Sequence, residues 1–280
     1  MQAQIIIILT LVSCEIHGGI HQHLCRVQFN GITEGKPFRY KDHRNDVYCS
    51  YLGIPYAEPP IGPLRFQSPK PISNPKTGFV QARTLGDKCF QESLIYSYAG
   101  SEDCLYLNIF TPETVNSANN TKYPVMFWIH GGAFNQGSGS YNFFGPDYLI
   151  REGIILVTIN YRLGVFGFLS APEWDIHGNM GLKDQRLALK WVYDNIEKFG
   201  GDKDKITIAG ESAGAASVHF LMMDNSTRKY YQRAILQSGT LLNPTANQIQ
   251  PLHHNYADRF IQMRIHMYQE SNLEEHQASY

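Results

Sequence analysis

Ser212 stands in a pentapeptide whose residue types and spacing suit a nucleophile. Glycines lie two positions to either side of it, in Gly210-Glu211-Ser212-Ala213-Gly214. Such glycines are needed where a strand turns into a helix so tightly that larger side chains would collide, which leaves the serine projecting. An apolar run at residues 206–209 precedes the pentapeptide, and a helical segment of small residues follows it. This context predicts a serine nucleophile at a helix amino terminus, where unpaired amides and the helix dipole favour negative charge.

A second glycine-rich segment could hold the negative charge that attack by a serine creates. His130-Gly131-Gly132-Ala133-Phe134 follows the apolar run at residues 125–129. Loops of this type direct backbone N–H groups at a tetrahedral oxyanion, and small residues let the backbone approach the substrate closely. An ordinary glycine turn is the alternative interpretation. One predicted strand and one predicted helix separate this segment from the pentapeptide, an order that favours the oxyanion loop. We assign His130 a structural role.

The elements that must position these segments follow from the hydrophobic pattern. Apolar runs without alternation are typical of parallel strands that helices cover on both faces. Four such runs lie at residues 125–129, 154–159, 206–209 and 234–236. A helical pattern occupies residues 182–199, between the second run and the third, and Gly200-Gly201 ends it. This order predicts an α/β fold with a doubly wound, mostly parallel sheet and flanking helices.

The segment before these runs has a different pattern. Short polar-apolar alternations over residues 26–52 predict small antiparallel strands. Prolines and glycines are dense over residues 53–78, which predicts a loop there.

Composition narrows the class of protein. Of the 280 residues, 43% are hydrophobic and 18% are charged, as is usual for a globular domain. The 24 basic and 25 acidic residues form no blocks and give a formal net charge of -1. We therefore predict no nucleic-acid partner. No apolar stretch reaches the roughly 18 residues of a transmembrane helix, so we predict no transmembrane segment.

The amino terminus indicates export. The apolar run at residues 5–12 has the length of the hydrophobic region of a signal peptide, and we assign residues 1–18 to one. A buried amino-terminal strand is the alternative. Asn119 and Asn225 each begin an N-glycosylation sequon, which agrees with a secreted, extracellular protein.

Together the motifs resemble the type-B carboxylesterase and cholinesterase family of the α/β-hydrolase fold. The resemblance is carried by residues 51–60, 64–66, 101–108, 130–134, 160–162, 179–186, 210–214 and 237–239. We assign residues 26–243 to the amino-terminal part of that domain. Residues 244–280 do not resemble the family and are assigned to a divergent or poorly structured tail.

The resemblance implies a carboxylic ester hydrolase that forms an acyl-enzyme intermediate on Ser212. It places the oxyanion hole at Gly131, Gly132, Ala133 and Ala213. It implies a small-molecule ester as substrate, with no metal and no organic cofactor. Two ion pairs of the family match as scaffold rather than as catalysis, namely Arg65 with Glu102 and Arg162 with Asp184. Lys76 stands where the family usually has a tryptophan.

The cysteines suit an exported protein. Cys14 would leave with the signal peptide, and the resemblance implies a disulfide between Cys89 and Cys104. Closing that loop would stabilise the fold by about 3 kcal/mol. Cys25 and Cys49 could form a second bridge, a pairing that the spacing alone leaves open.

A serine hydroxyl needs a base, and the base needs an acid to orient it. In this fold both follow the serine in the chain, and in the family both lie far beyond it. His219 is two helical turns from Ser212 along the predicted helix, and the remaining candidates lie in the tail, at His253, His254, His266 and His276. We assign none of them as the base and expect an amino-terminal fragment that lacks the distal acid and histidine. The alternatives are a non-catalytic cholinesterase-like binding or adhesion protein and an inactive truncated isoform.

Overall fold

The computed structural model describes residues 25–39, 47–75, 77–92, 98–112 and 122–242. Several predictions therefore lie outside the described residues: the signal peptide at 1–18, the residue Lys76, the sequon at Asn119 and the tail at 244–280.

The strands of the described chain range from two to eleven residues, and the longest, Gly201–Glu211, leads into the predicted site. In chain order they are β1 (Arg26–Gln28), β2 (Gly31–Glu34), β3 (Lys36–Arg39), β4 (Val47–Pro55), β5 (Gly78–Gln81), β6 (Gln91–Glu92), β7 (Tyr98–Ala99), β8 (Tyr106–Thr111), β9 (Tyr123–Ile129), β10 (Ile155–Ile159), β11 (Ser170–Ala171), β12 (Ile176–His177), β13 (Gly201–Glu211) and β14 (Arg233–Gln237). The α-helices are α1 (Asp147–Arg151), α2 (Gly164–Phe168), α3 (Met180–Asn195) and α4 (Ala213–Met223). Single 3-10 turns occur at Gly62–Leu64, Pro172–Trp174, Ile196–Phe199 and Arg228–Tyr230.

Seven strands form the central sheet, in the order β14-β13-β9-β10-β8-β4-β3. The pairs β14–β13, β13–β9 and β9–β10 are parallel. The pairs β10–β8, β8–β4 and β4–β3 are antiparallel. The described sheet is thus evenly mixed, with its parallel half around β9 and β13, rather than mostly parallel. The antiparallel half includes β3 and β4 of the predicted amino-terminal strands, whereas β1 and β2 pair antiparallel in a separate small sheet.

Burial follows position in the sheet. All five residues of β10, an interior strand rich in β-branched side chains, are buried. β14 was expected to be equally buried, but its residues alternate between exposed and half-buried, and Ile235 is 40% exposed. The expectation fails because β14 lies at the edge of the described sheet, so only β13 pairs with it.

The predicted helix at residues 182–199 is present with shifted ends. α3 begins at Met180 and ends at Asn195, and the 3-10 turn Ile196–Phe199 continues it. Gly200 then adopts a left-handed conformation with φ of 82°, which suits a glycine at a helix end. Val192, Ile196 and Phe199 are fully buried, so this helix covers one face of the sheet. No helix among the described residues is both long and apolar enough to cross a bilayer.

Two disulfides form in the described chain, and each has one cysteine in or just before a strand of the antiparallel half. Cys89 is bonded to Cys104, and Cys25 is bonded to Cys49, the pairing that the sequence left open. The sequence separations are 15 and 24 residues.

We expect the double substitution Cys89→Ser and Cys104→Ser to lower the free energy of unfolding by about 3 kcal/mol, because the unfolded chain regains the freedom that the bridge removes. Urea denaturation of the oxidised proteins measures this difference. Under reducing conditions the variant and the parent chain should unfold alike. An unchanged midpoint in oxidised samples would contradict a stabilising bridge.

Candidate active site

Ser212 occupies the turn between a strand and a helix. β13 ends at Glu211 and α4 begins at Ala213, so a single residue makes the connection. The backbone angles of Ser212 are φ 55° and ψ -121°, and its side chain is partly exposed. A positive φ is rare for a residue with a side chain, and holding one costs on the order of 1–3 kcal/mol. The surrounding structure must therefore enforce this conformation.

The two flanking glycines allow the turn to close. A Cβ atom on Gly210 would lie 2.5 Å from the carbonyl carbon of Gly214. A Cβ atom on Gly214 would lie 2.1 Å from the carbonyl oxygen of Ile129 at the end of β9. Any larger residue at either place would push the first turn of α4 off the sheet.

β14 holds the turn from the other side. The N–H of Ser212 donates to the carbonyl oxygen of Gln237 at 2.8 Å. Gly239 packs so closely that a Cβ atom there would lie 2.2 Å from the carbonyl oxygen of Ser212. This contact gives a structural reason for the Gln237-Ser238-Gly239 motif.

The predicted oxyanion loop lies beside the turn because their strands are neighbours. β9 and β13 are parallel, and Ile129 pairs with Gly210, so both strands end at the same edge of the sheet. A Cβ atom on Gly131 would lie 3.1 Å from the Cβ atom of Ser212. The structure thus brings together the two segments that the sequence singled out, residues 130–134 and 210–214.

Three amides of the predicted oxyanion loop have no acceptor in the described part of the chain. Gly132, Ala133 and Phe134 have φ values of 104°, 53° and 60°, a run of left-handed residues that turns the chain sharply. Within the described ranges, no acceptor receives the N–H groups of Gly131, Gly132 or Ala133. Ala213 is the first residue of α4, so its N–H has no partner inside the helix. Unpaired amides beside a projecting serine can stabilise an oxyanion.

Substituting Gly131 by alanine is a direct test of this closeness. The new Cβ atom would lie 2.7 Å from the carbonyl oxygen of Glu211 and 3.1 Å from the Cβ atom of Ser212, so the loop must move away. We expect the rate of acylation of Ser212 to fall about a hundredfold, the scale of one lost oxyanion donor. Stopped-flow or quench measurements with an activated ester give the rate. Gly145→Ala is the matched control, since its nearest neighbours would lie 3.3 and 3.6 Å away. Equal acylation rates for both variants would contradict the close packing of Gly131 against Ser212.

No described side chain hydrogen bonds to the hydroxyl of Ser212. His130 is buried, and its Nδ1 lies 2.7 Å from the carbonyl oxygen of Gly131. Burial lowers its pKa to about 4, which keeps the imidazole neutral at pH 7. His219 points elsewhere, because its Nδ1 accepts the N–H of Leu241 at 3.2 Å. The tail histidines lie outside the described residues.

A buried polar contact behind the turn was missed by the sequence analysis. Gln185 of α3 donates through Nε2 to the hydroxyl of Ser217 at 3.0 Å, and that hydroxyl donates to the carbonyl oxygen of Ala213 at 2.9 Å. Both side chains are fully buried. The contact joins α3 to the first turn of α4. The only available signal was a polar residue on the buried face of each helix, which does not by itself show that the two meet.

The predicted ion pairs form as scaffold. Arg162 and Asp184 make a bidentate pair with distances of 2.8 and 2.7 Å, and both are buried. Arg65 and Glu102 pair at 2.5 and 2.7 Å in a more exposed position.

Asn225, of the second sequon, is exposed just beyond α4.

A strained serine between a parallel strand and a helix, with unpaired amides beside it, is the arrangement of a serine hydrolase of the α/β class. The chain belongs to the carboxylesterase family, whose model matches residues 23–274.

Relatives and solved structures agree with this assignment. The chain is 45% identical over 212 residues to a juvenile hormone esterase of Tribolium castaneum, covering 75% of this chain and 35% of that protein. It is 45% identical over 213 residues to venom carboxylesterase-6 of Apis mellifera, covering 74% and 37%.

Among solved structures, a PNB esterase superimposes with a TM-score of 0.65 at 40% identity, covering 79% of this chain and 44% of that one. The juvenile hormone esterase of Manduca sexta, with OTFP covalently attached, gives 0.68 at 37% identity, covering 78% and 41%. These structures confirm the predicted α/β-hydrolase fold. The chain spans between about a third and somewhat under half of the length of these proteins.

Proposed function

We propose that this chain supplies the nucleophile and the oxyanion hole of a carboxylic ester hydrolase. The observation that carries the proposal is the conformation of Ser212, at φ 55° and ψ -121°, with Gly131 packed against its side chain. Family membership supports ester hydrolysis as the type of reaction.

In the proposed reaction Ser212 Oγ forms a bond to the carbonyl carbon of the ester, and its proton passes to a general base. The carbonyl electron pair moves onto the oxygen, which accepts hydrogen bonds from amides of the proposed oxyanion hole, formed by Gly131, Gly132, Ala133 and Ala213. Collapse of this intermediate breaks the bond to the alcohol, which takes the proton back from the base and leaves an acyl group on Ser212. A water molecule then attacks the acyl carbonyl in the same way, which breaks the bond to Ser212 Oγ and releases the carboxylic acid.

The substrate class is a small carboxylic ester. The relatives named above act, by their names, on juvenile hormone or other carboxylic esters. In the described part of the chain Gly131 packs against the partly exposed Ser212, which suits attack on a carbonyl group brought in from solvent.

Covalent labelling by a fluorophosphonate tests the proposal. Ser212 Oγ would form a bond to phosphorus and fluoride would leave, giving an adduct that mass spectrometry locates on the tryptic peptide containing residue 212. Only an activated serine reacts in this way, so a heat-denatured sample should remain unlabelled. An adduct on this chain would show that a base for Ser212 is present. Absence of the adduct from a folded form that carries the distal acid and histidine would refute the proposal and favour a non-catalytic binding protein.

We further propose that the protein is secreted. Support comes from the signal-like run at residues 5–12, the exposed Asn225 of one sequon, and two disulfides, which persist in oxidising compartments. After expression in secretory cells, treatment with peptide N-glycosidase should reduce the apparent mass of protein recovered from the medium. Recovery only inside the cells, without a mass change, would contradict secretion.

A further inference from the structure

Two buried side chains contact the oxyanion loop from behind. Nδ1 of His130 lies 2.7 Å from the carbonyl oxygen of Gly131. The hydroxyl of Tyr161, from the segment after β10, donates to the carbonyl oxygen of His130 at 2.9 Å. His130 is 1% exposed and Tyr161 is fully buried. Neither side chain has a role in the proposed reaction.

These two contacts hold consecutive peptide groups. The described chain has no cis peptide bonds, and in a trans peptide the C=O and the following N–H point in opposite directions. Fixing the carbonyl of Gly131 therefore fixes the N–H of Gly132. Fixing the carbonyl of His130 fixes the N–H of Gly131 in the same way. Both N–H groups are among those without an acceptor in the described chain.

The imidazole is itself held in place. It stacks on the ring of Tyr161 with centroids 4.4 Å apart and an interplanar angle of 20°. Gly137 packs against it so closely that a Cβ atom there would lie 2.4 Å from Nδ1. Because burial lowers the pKa of His130 to about 4, the ring is neutral and carries one proton. A carbonyl oxygen can only accept, so that proton resides on Nδ1. Nε2 meets no donor or acceptor among the described residues.

The geometry points to His130 and Tyr161 as positioning residues of the oxyanion hole, which aim the amides of Gly132 and Gly131 through the carbonyl on the far side of each peptide group. This inference rests on the proposed function and adds to it the residues that orient the donors. It also assigns a role to Tyr161, the central residue of the 160–162 motif. Oxyanion stabilisation requires donors that are oriented before the charge develops, and glycine-rich backbone does not orient itself.

Three variants separate positioning from ordinary core packing. His130→Phe retains a ring that can stack on Tyr161 but removes the donor. His130→Asn removes the ring and places an amide N–H near the position of Nδ1. Tyr161→Phe keeps the stack and removes the hydroxyl. His177→Phe is the matched control, because the side chain of His177 is 67% exposed.

We expect fluorophosphonate labelling of Ser212 to slow about tenfold to a hundredfold in His130→Phe and in Tyr161→Phe, the scale of a displaced oxyanion donor. His130→Asn should recover most of the rate although it packs worse than phenylalanine. His177→Phe should match the parent chain. Equal labelling rates for His130→Phe and the parent chain would overturn the inference, as would a slower rate for His130→Asn than for His130→Phe.

A second readout does not depend on reactivity. Nitrogen NMR of the parent chain should show His130 protonated at Nδ1. The amides of Asn135 and Gln136 donate to the carbonyl oxygen of Gly132, so their exchange rates report how well the loop is ordered. Hydrogen exchange of the peptide spanning the loop should therefore speed up in His130→Phe and not in His130→Asn. Protonation at Nε2, or unchanged exchange in His130→Phe, would overturn the inference. If a folded form that carries the distal acid and histidine is not labelled, the proposed function fails while these two measurements still decide the positioning contacts.

Discussion

Replacing Ser212 by alanine is expected to abolish fluorophosphonate labelling and, in a form of the protein that carries the base for Ser212, to reduce ester turnover by about a millionfold, because Ser212 Oγ is the proposed acyl carrier. The structural cost should be small. The side chain of Ser212 makes no hydrogen bond within the described residues, and alanine adds no volume. Turnover of an activated ester such as a p-nitrophenyl ester, together with mass spectrometry of the labelled peptide, measures both effects.

Ser226→Ala is the matched control for this prediction. Ser226 is exposed in the turn after α4 and is not one of the proposed site residues. The substitution keeps the Asn225 sequon, whose hydroxyl residue is Thr227. It should leave turnover and labelling unchanged. A Ser212→Ala protein that still formed an adduct elsewhere, at the parent rate, would show that another residue is the nucleophile.

The turn at Ser212 could be predicted because its requirements are local. The glycine spacing, the apolar run before it and the small residues after it all lie within about a dozen positions. The same holds for the loop after β9. What the sequence pattern could not supply is that β9 and β13 are neighbours, with β10 on the far side of β9. That order is a property of the whole sheet, and it alone brings Gly131 to Ser212.

Contacts between distant residues escaped the sequence analysis for the same reason. His130 was assigned a structural role, but its partner Tyr161 lies 31 positions away, and Gln185 lies 32 positions from Ser217. A polar residue in a buried element indicates that some partner exists without identifying it. The burial expected of β14 failed because a short apolar run does not reveal which strand lies at a sheet edge.

The buried ion pair between Arg162 and Asp184 should dominate the stability of the region behind the site. The guanidinium group donates to both carboxylate oxygens, and its Nη1 also donates to the carbonyl oxygen of Gln67 at 2.8 Å. The N–H of Arg162 adds a further bond to the same carboxylate at 3.0 Å. This pair therefore joins α3 to the segment after β10 and to the loop before β5.

We expect Arg162→Met to lower the free energy of unfolding by about 3–5 kcal/mol, because it leaves the Asp184 carboxylate buried without its cation. That loss is a large part of the roughly 5–15 kcal/mol that a domain has. Urea denaturation at neutral pH measures it. Lys190→Met is the matched control: Lys190 pairs with Asp194 at 2.5 Å, but both side chains are more than 40% exposed. An exposed pair contributes at most about 1 kcal/mol.

The pH dependence of this loss identifies its cause. Burial raises the pKa of Asp184, whereas the hydrogen bonds and charge of Arg162 lower it. In Arg162→Met the guanidinium no longer opposes the raising effect of burial, and only the backbone N–H of residue 162 and the charge of Lys183 still lower the pKa of Asp184. The folded variant therefore binds a proton at this carboxylate more readily than the unfolded chain does. The free energy of unfolding of the variant must then fall as the pH rises and Asp184 loses its proton. The difference in this free energy between the parent chain and the variant should therefore be smaller at about pH 5 than at about pH 7. A deficit that is equal at both values would mean that lost packing, rather than an unpaired carboxylate, destabilises the variant.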